Sequence, residues 1–266
     1  MNGLESAVVA ITGASSGIGR ECAVEFARAG ARLALAARRL ERLEAVAESV
    51  RAAGSDALLM VTDVGDPAQV RRLVEATVAR YGRLDVMVNN AGFGVRGLVE
   101  ETPAEDYERL MRVNYLGTVY GCLAAVPVMR RQGSGVIVNV SSIVGHRSLP
   151  GGAAYAATKA AQISLTESLR AELRGTGVTA CSVHPIGTPT ELAEVAARES
   201  GGRPGGPLGP QQSVRDVALA VVRCARRPRP EVYPYAAARL VTWANALAPG
   251  LMDRLTAAAA RRARRF

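Results

Sequence analysis

Tyr155 and Lys159 stand four residues apart in AAYAATKAAQ, residues 153–162, and Lys159 is the only lysine in a chain with 33 basic side chains. Everywhere else the sequence meets its need for positive charge with arginine, down to the closing RRARRF. On a helix, positions four apart share one face. A phenol titrates near ~10, too high for proton exchange near neutrality, and a nearby ammonium favours the phenolate and lowers that value. An ammonium is compact, has three rotatable donors and can release a proton, whereas a guanidinium is planar and stays charged. The pair thus has the chemistry of an acid/base group beside its own tuning charge, with the phenol expected below its ordinary range.

In VVAITGASSGIGRECAVEF an apolar run leads through Gly13, Gly17 and Gly19, with Ser15, Ser16 and Ile18 among them, into a helix. Glycines there permit a tight turn and close backbone approach, and a helix N-terminus offers free amides and a positive dipole end to a pyrophosphate. The spacing departs from the common G-x-G-x-x-G. Two later apolar runs end in VMVNNAG and NVSS, and YAATK follows on the next helix.

TGASSGIG, NNAG, SS and YAATK, in this order and at these separations, make the chain closely resemble the short-chain dehydrogenase/reductase family, in its short single-domain branch, over roughly residues 7–190 and more weakly to about 235. The resemblance implies a Rossmann-like fold and an oxidoreductase that transfers hydride between a nicotinamide and a ketone or secondary alcohol. It assigns Tyr155 as general acid/base, and Lys159 as the residue that lowers the tyrosine's pKa and holds the nicotinamide ribose. Ser142, thirteen residues before Tyr155, would hydrogen-bond the substrate carbonyl oxygen, with Ser141 as the neighbour easily mistaken for it. Asn114, in MRVNYLG, matches the asparagine whose backbone carbonyl holds a water on the proton path to the lysine. Asp63 and Val64 would lie beside the adenine, supported by Asn90, Ala91 and Gly92, while Pro185, Thr188 and Thr190 would reach the carboxamide. HPIGTPTEL departs from the family there, since Ile186 stands in place of the usual glycine and Pro189 stiffens the run.

Cofactor choice is read after the second apolar run, in LALAARRLERL. An acidic residue there would accept from the ribose 2′-hydroxyl of NAD, but Ala37 is followed by Arg38 and Arg39, whose guanidinium groups suit a 2′-phosphate. NADP is expected over NAD. The substrate pocket would draw on Phe93, Leu98, Val144, Leu149 and Leu192, which suits a moderately apolar ketone or hydroxy compound, with Arg96 and Arg147 as alternatives for an acidic one. His146 and His184, the only histidines, read as local hydrogen-bonding residues, and no metal site is expected. The rival reading is a dinucleotide-binding regulator or scaffold that catalyses nothing, and the four residues Asn114, Ser142, Tyr155 and Lys159 together argue against it.

These residues need elements to hold them. AVVAITG, RLALAA, ALLMVTD, LDVMVNN and GVIVNVSS alternate with longer helical stretches, the signature of an α/β, doubly wound parallel sheet. Strands are expected near 7–12, 32–37, 57–62, 84–89, 136–141 and 178–183 and a short one at EVY, residues 231–233, with helices at about 17–29, 40–53, 67–81, 103–132, 153–174 and 213–226. The expected organisation is one catalytic domain over 1–235, a flexible Gly/Pro-rich substrate loop at about 190–212, and a basic helical C-terminal extension over 236–266.

Net charge is +9, but four of the arginines lie in the last six residues and no zinc-finger, basic-zipper or stacking-aromatic pattern accompanies them, so nucleic acid is not an expected partner. Leu240, Trp243, Leu247 and Leu251 share one side of the extension and would cover a partner subunit, the chain's own core or a membrane surface. A dimer or tetramer is implied by the resemblance. Four cysteines without paired spacing, no leader pattern and no run of about 18 apolar residues fit a reduced cytoplasm.

Overall fold

The computed structural model describes residues 3–191, 196 and 209–263. Seven strands form one sheet: β1 Val8–Thr12, β2 Arg32–Ala37, β3 Ala57–Val61, β4 Val86–Asn89, β5 Gly135–Val140, β6 Val178–Val183 and β7 Glu231–Val232. Their order is β3-β2-β1-β4-β5-β6-β7, and every pairing is parallel. The strands are mostly apolar because helices cover both faces, with Thr12, Asn89, Asn139 and Ser182 as buried polar exceptions. Val9, Ile11, Leu33, Leu35, Val86, Val88, Val136 and Val138 face α1 (Gly17–Arg28), α2 (Leu40–Ala52) and α7 (Val214–Arg226). Their alternates Ala10, Ala34, Met87 and Ile137 face α3 (Pro67–Tyr81), α5 (Gly117–Gln132) and α6 (Ala153–Glu172). The strand order reverses between β1 and β4, which opens a crevice beyond the strands' carboxyl ends.

Local chemistry ends these elements where the sequence predicts. Asp66 caps α3 by accepting from the amides of Ala68 at 2.8 Å and Gln69 at 3.4 Å, with Pro67 in the first turn. The helix predicted over 103–132 is not continuous. It comprises α4 (Ala104–Leu110), a π-helical turn Met111–Leu116 and α5, and the π turn, which frees carbonyls from the regular ladder, holds Asn114.

Beyond β7 come α8 (Ala238–Leu247) and α9 (Pro249–Ala263). Arg147 fastens them to the body of the protein, donating to Asn245 Oδ1 at 3.2 Å, Asp253 Oδ1 at 2.7 Å and Thr256 Oγ1 at 2.9 Å. These contacts engage Arg147 away from any acidic substrate. Leu240, Trp243, Leu247 and Leu251 are all exposed, Leu247 by 86%, so the chain's own core is not what they cover. No described helix is long and apolar enough to cross a membrane. All four cysteines are buried and unpaired. Most of the loop expected at 190–212, including Leu192, lies outside the described residues.

Candidate active site

The glycine turn after β1 leaves no room for side chains. Gly13 has φ +65°, and a Cβ on it would stand 2.7 Å from Ala91 Cα. A Cβ on Gly19 would collide with the Gly13 carbonyl and come within 2.6 Å of Asn90 Nδ2. Asn90 closes this cradle by donating to Thr12 O at 3.0 Å and Gly13 O at 3.3 Å. Ser16, extended at the start of α1, makes no side-chain cap, so the first amides of the helix stay available to an anion. Asp63 Oδ1 accepts from Gly65 N at 2.9 Å, and Val64 is buried close against Gly117. Gly17 approaches Thr190, which brings the segment after β6 back to the first turn. Thr188 donates to Ile186 O at 2.9 Å and accepts from Gln212 Nε2 at 3.4 Å, while Pro185 O accepts from Ile143 N at 2.9 Å.

Tyr155 and Lys159 meet on α6 as the spacing predicts, with the ammonium 5.5 Å from the ring centroid. Their titration does not follow the expectation. Tyr155 is half-buried but tightly packed, and desolvation pushes its phenol up, while burial brings the Lys159 ammonium down to about 7. Lys159 Nζ donates to Val140 O, 2.9 Å away, and Gln162 Oε1, 3.0 Å away. Ser141 is buried and donates to Lys159 O at 2.9 Å, so its hydroxyl ties β5 to α6. Ser142 stays partly open at the mouth, donating to Pro185 O at 3.3 Å and accepting from Val144 N at 3.3 Å.

Asn114 is fully buried, and its backbone carbonyl accepts from Thr118 Oγ1 at 2.9 Å and Gln162 Nε2 at 2.8 Å. Both acceptor directions of that carbonyl are thereby in use, where the resemblance implies a water. The amide of Gln162 spans the gap from Asn114 to Lys159. Gln162 escaped the sequence reading, although its place three residues after Lys159 puts it on the same helix face.

Arg38 is exposed and makes no hydrogen bond or ion pair with described residues. Arg39 donates to Glu191 Oε2 at 3.0 Å and Ser15 Oγ at 3.5 Å, and Arg42 pairs with the other Glu191 oxygen. These two guanidinium groups, Arg42 before Arg39, hold the Glu191 carboxyl down to about 2. Glu191 too is invisible in local sequence, because its partners lie at the far end of the chain.

A buried ammonium with no carboxylate partner among the described residues carries a pH signature. Lys159 titrates near 7 when folded and at its ordinary, higher value when unfolded, so the unfolded chain binds more protons between those values. Stability from this group is lowest at and below about pH 7 and recovers as pH rises towards the unfolded value. Lys159→Met should therefore show its most favourable melting temperature relative to wild type at pH ~6, with the difference moving in favour of wild type by pH ~10. A difference independent of pH would contradict the shift.

The short chain dehydrogenase family profile matches residues 7–200. An uncharacterized oxidoreductase of Staphylococcus saprophyticus is 40% identical over 197 residues, covering 73% of this chain and 79% of its own. A short-chain dehydrogenase/reductase of Burkholderia phymatum, solved in complex with NAD, superposes with TM-score 0.86 at 28% identity, over 95% of this chain and 97% of its own. An alcohol dehydrogenase of Thermococcus sibiricus, complexed with 5-hydroxy-NADP, gives TM-score 0.74 at 30% identity, over 85% of this chain and 95% of its own.

Proposed function

Because the chain belongs to the short-chain dehydrogenase/reductase family, we propose that it is an NADP-dependent oxidoreductase acting between a carbonyl compound and its secondary alcohol, with Tyr155 as general acid/base. The observation that carries this reading is the lone lysine. Lys159 is 4% exposed and has no carboxylate partner among the described residues, an arrangement that costs stability and is kept where chemistry needs it.

The glycine cradle and the uncapped start of α1 fit a dinucleotide pyrophosphate. When bound, the nicotinamide supplies or accepts the hydride. Burial favours the protonated Tyr155 phenol, the form that donates to a carbonyl oxygen in reduction. Ser142 orients the carbonyl, and Lys159 stabilises the phenolate that remains and, titrating near 7, can return a proton to it. Gln162, held by Asn114 O, fixes Lys159 Nζ; on this reading Asn114 is a positioning residue. Phe93 packs with Val95, Leu110, Tyr107 and Ala154, which supports an apolar carbonyl substrate. The exposed row on α8 and α9 supports an assembly contact, and we read the protein as a homo-oligomer.

Arg38 is the free guanidinium for a 2′-phosphate, since Arg39 must first exchange its bond to Glu191. Arg38→Asp removes that partner and adds a repulsive charge, so the kcat/KM ratio of NADPH to NADH should fall by more than about tenfold. A wild type that prefers NADH tenfold would refute the NADP assignment. Oxidation of NADPH with a panel of aldehydes and ketones separates the enzyme from the regulator reading, which expects no turnover with any of them.

A further inference from the structure

We propose that His146, His184 and Glu231, with Tyr233 at their edge, form a binding site for one divalent transition-metal ion of the zinc class. The chain's only two histidines converge here. His146 follows the 3-10 turn after β5, His184 is the first residue beyond β6, and Glu231 lies on β7 opposite Ser182, so the parallel pairing of β6 with β7 puts the last two within two residues of each other at the same end of the sheet. The imidazole centroids are 4.6 Å apart, and one ligand atom from each of the three residues lies within 4.8 Å of the others.

Polar bonding at this cluster is incomplete. His184 is fully buried, and neither of its ring nitrogens makes a hydrogen bond of ordinary geometry. A neutral imidazole carries one N–H and one lone pair, so His184 holds an unused lone-pair donor in the interior. Tyr233 donates to Glu231 Oε2 at 2.9 Å and lies 3.2 Å from His146 Nε2, so the carboxylate reaches the histidine only through a hydroxyl. A cation between the three would take up both the unused nitrogen and the carboxylate.

The donor set selects the metal class. Two neutral imidazoles and a carboxylate suit zinc and its neighbours, whereas magnesium and calcium require oxygen ligands. Imidazole ligates in its neutral form, so binding should strengthen as pH rises through the range in which histidine loses its proton. Tetrahedral coordination at ~2.0–2.1 Å places donors about 3.4 Å apart, so the side chains must draw in, and the half-buried His146 and Glu231 must exchange their contacts with the Tyr233 hydroxyl for the ion. His146 O also accepts from Asn245 Nδ2 at 3.1 Å, so a bound ion would brace β7 and α8 against the turn after β5. Its role is structural, and neither Tyr155 nor Lys159 belongs to the set.

The test uses the full chain, purified without a histidine tag and stripped by a chelator, and does not depend on turnover. Cobalt(II) titration should give visible absorption of a four-coordinate site saturating at one ion per chain, Zn²⁺ should abolish it stoichiometrically, and Zn²⁺ should raise the melting temperature. Glu231→Gln and His146→Asn should each weaken binding by more than about 100-fold, beyond the effect of an outer-sphere change. Both sites are half-buried, and a melting temperature near the metal-free wild type shows that each variant is folded. Absence of the cobalt spectrum and of any Zn²⁺-dependent melting shift in wild type would overturn the site, as would wild-type affinity retained in both variants.

Discussion

Tyr155→Phe should lower kcat by about 10³-fold or more, within the range of roughly 10² to 10⁴ that a positioned acid/base group contributes. The substitution removes only a hydroxyl from a half-buried ring, so the melting temperature and cofactor affinity should change little. In wild type the rate of carbonyl reduction should fall as pH rises through the value at which the Tyr155–Lys159 couple loses its donated proton, and alcohol oxidation should rise over the same interval. The sign follows from the chemistry: reduction consumes the protonated form and oxidation needs the deprotonated one. Both limbs should vanish in Tyr155→Phe. Profiles of kcat from pH ~6 to ~10 in each direction measure this. A variant that keeps a tenth of wild-type kcat, against the ~10³-fold expectation, would remove Tyr155 from the proton transfer.

Lys159→Arg should lower kcat by about 10²-fold or more, although charge is kept and the rest of the chain uses arginine freely. The ammonium fits a slot closed by Val140 O and Gln162 Oε1, where a Cβ added to Gly92 would come within 4.0 Å of Nζ. A guanidinium is longer and planar, and it does not release a proton near neutrality. It would displace Gln162, which in turn holds Asn114 O and Thr118 Oγ1. Unlike a surface exchange, this one should also lower the melting temperature by several degrees, because an overpacked polar residue costs about 1–3 kcal/mol. If Lys159→Arg keeps more than about half of wild-type kcat, the ammonium serves only as a charge and its proton has no part in turnover.

The alternation of apolar runs with helices was enough to read the doubly wound sheet, because a parallel strand buried on both faces is mostly apolar. The glycine turn and the Tyr155–Lys159 pair were legible for the same reason: close approach and shared helix faces are local properties. What escaped depends on contacts between distant segments. A glutamine on a helix is unremarkable until the π turn at Met111–Leu116 presents Asn114 O to it. Glu191 meets Arg39 and Arg42 only when the segment after β6 returns to the first strands. The direction of the Tyr155 shift was misread because spacing reports proximity to a charge and says nothing of desolvation, which here is the larger effect. His146 and His184 read as separate local residues, and only the parallel run of β5, β6 and β7 brings them together with Glu231.

Transfer of deuterium from nicotinamide labelled at C4 is the most direct measure of the central claim. Wild-type enzyme, given NADPH deuterated in turn on each face and an apolar ketone, should place one deuterium on the carbinol carbon from one face only, and Tyr155→Phe should all but abolish that product. Failure of both labelled faces, with NADPH and with NADH, to label any carbonyl compound in a broad panel, or equal labelling by wild type and Tyr155→Phe, would contradict a Tyr155-dependent hydride transfer.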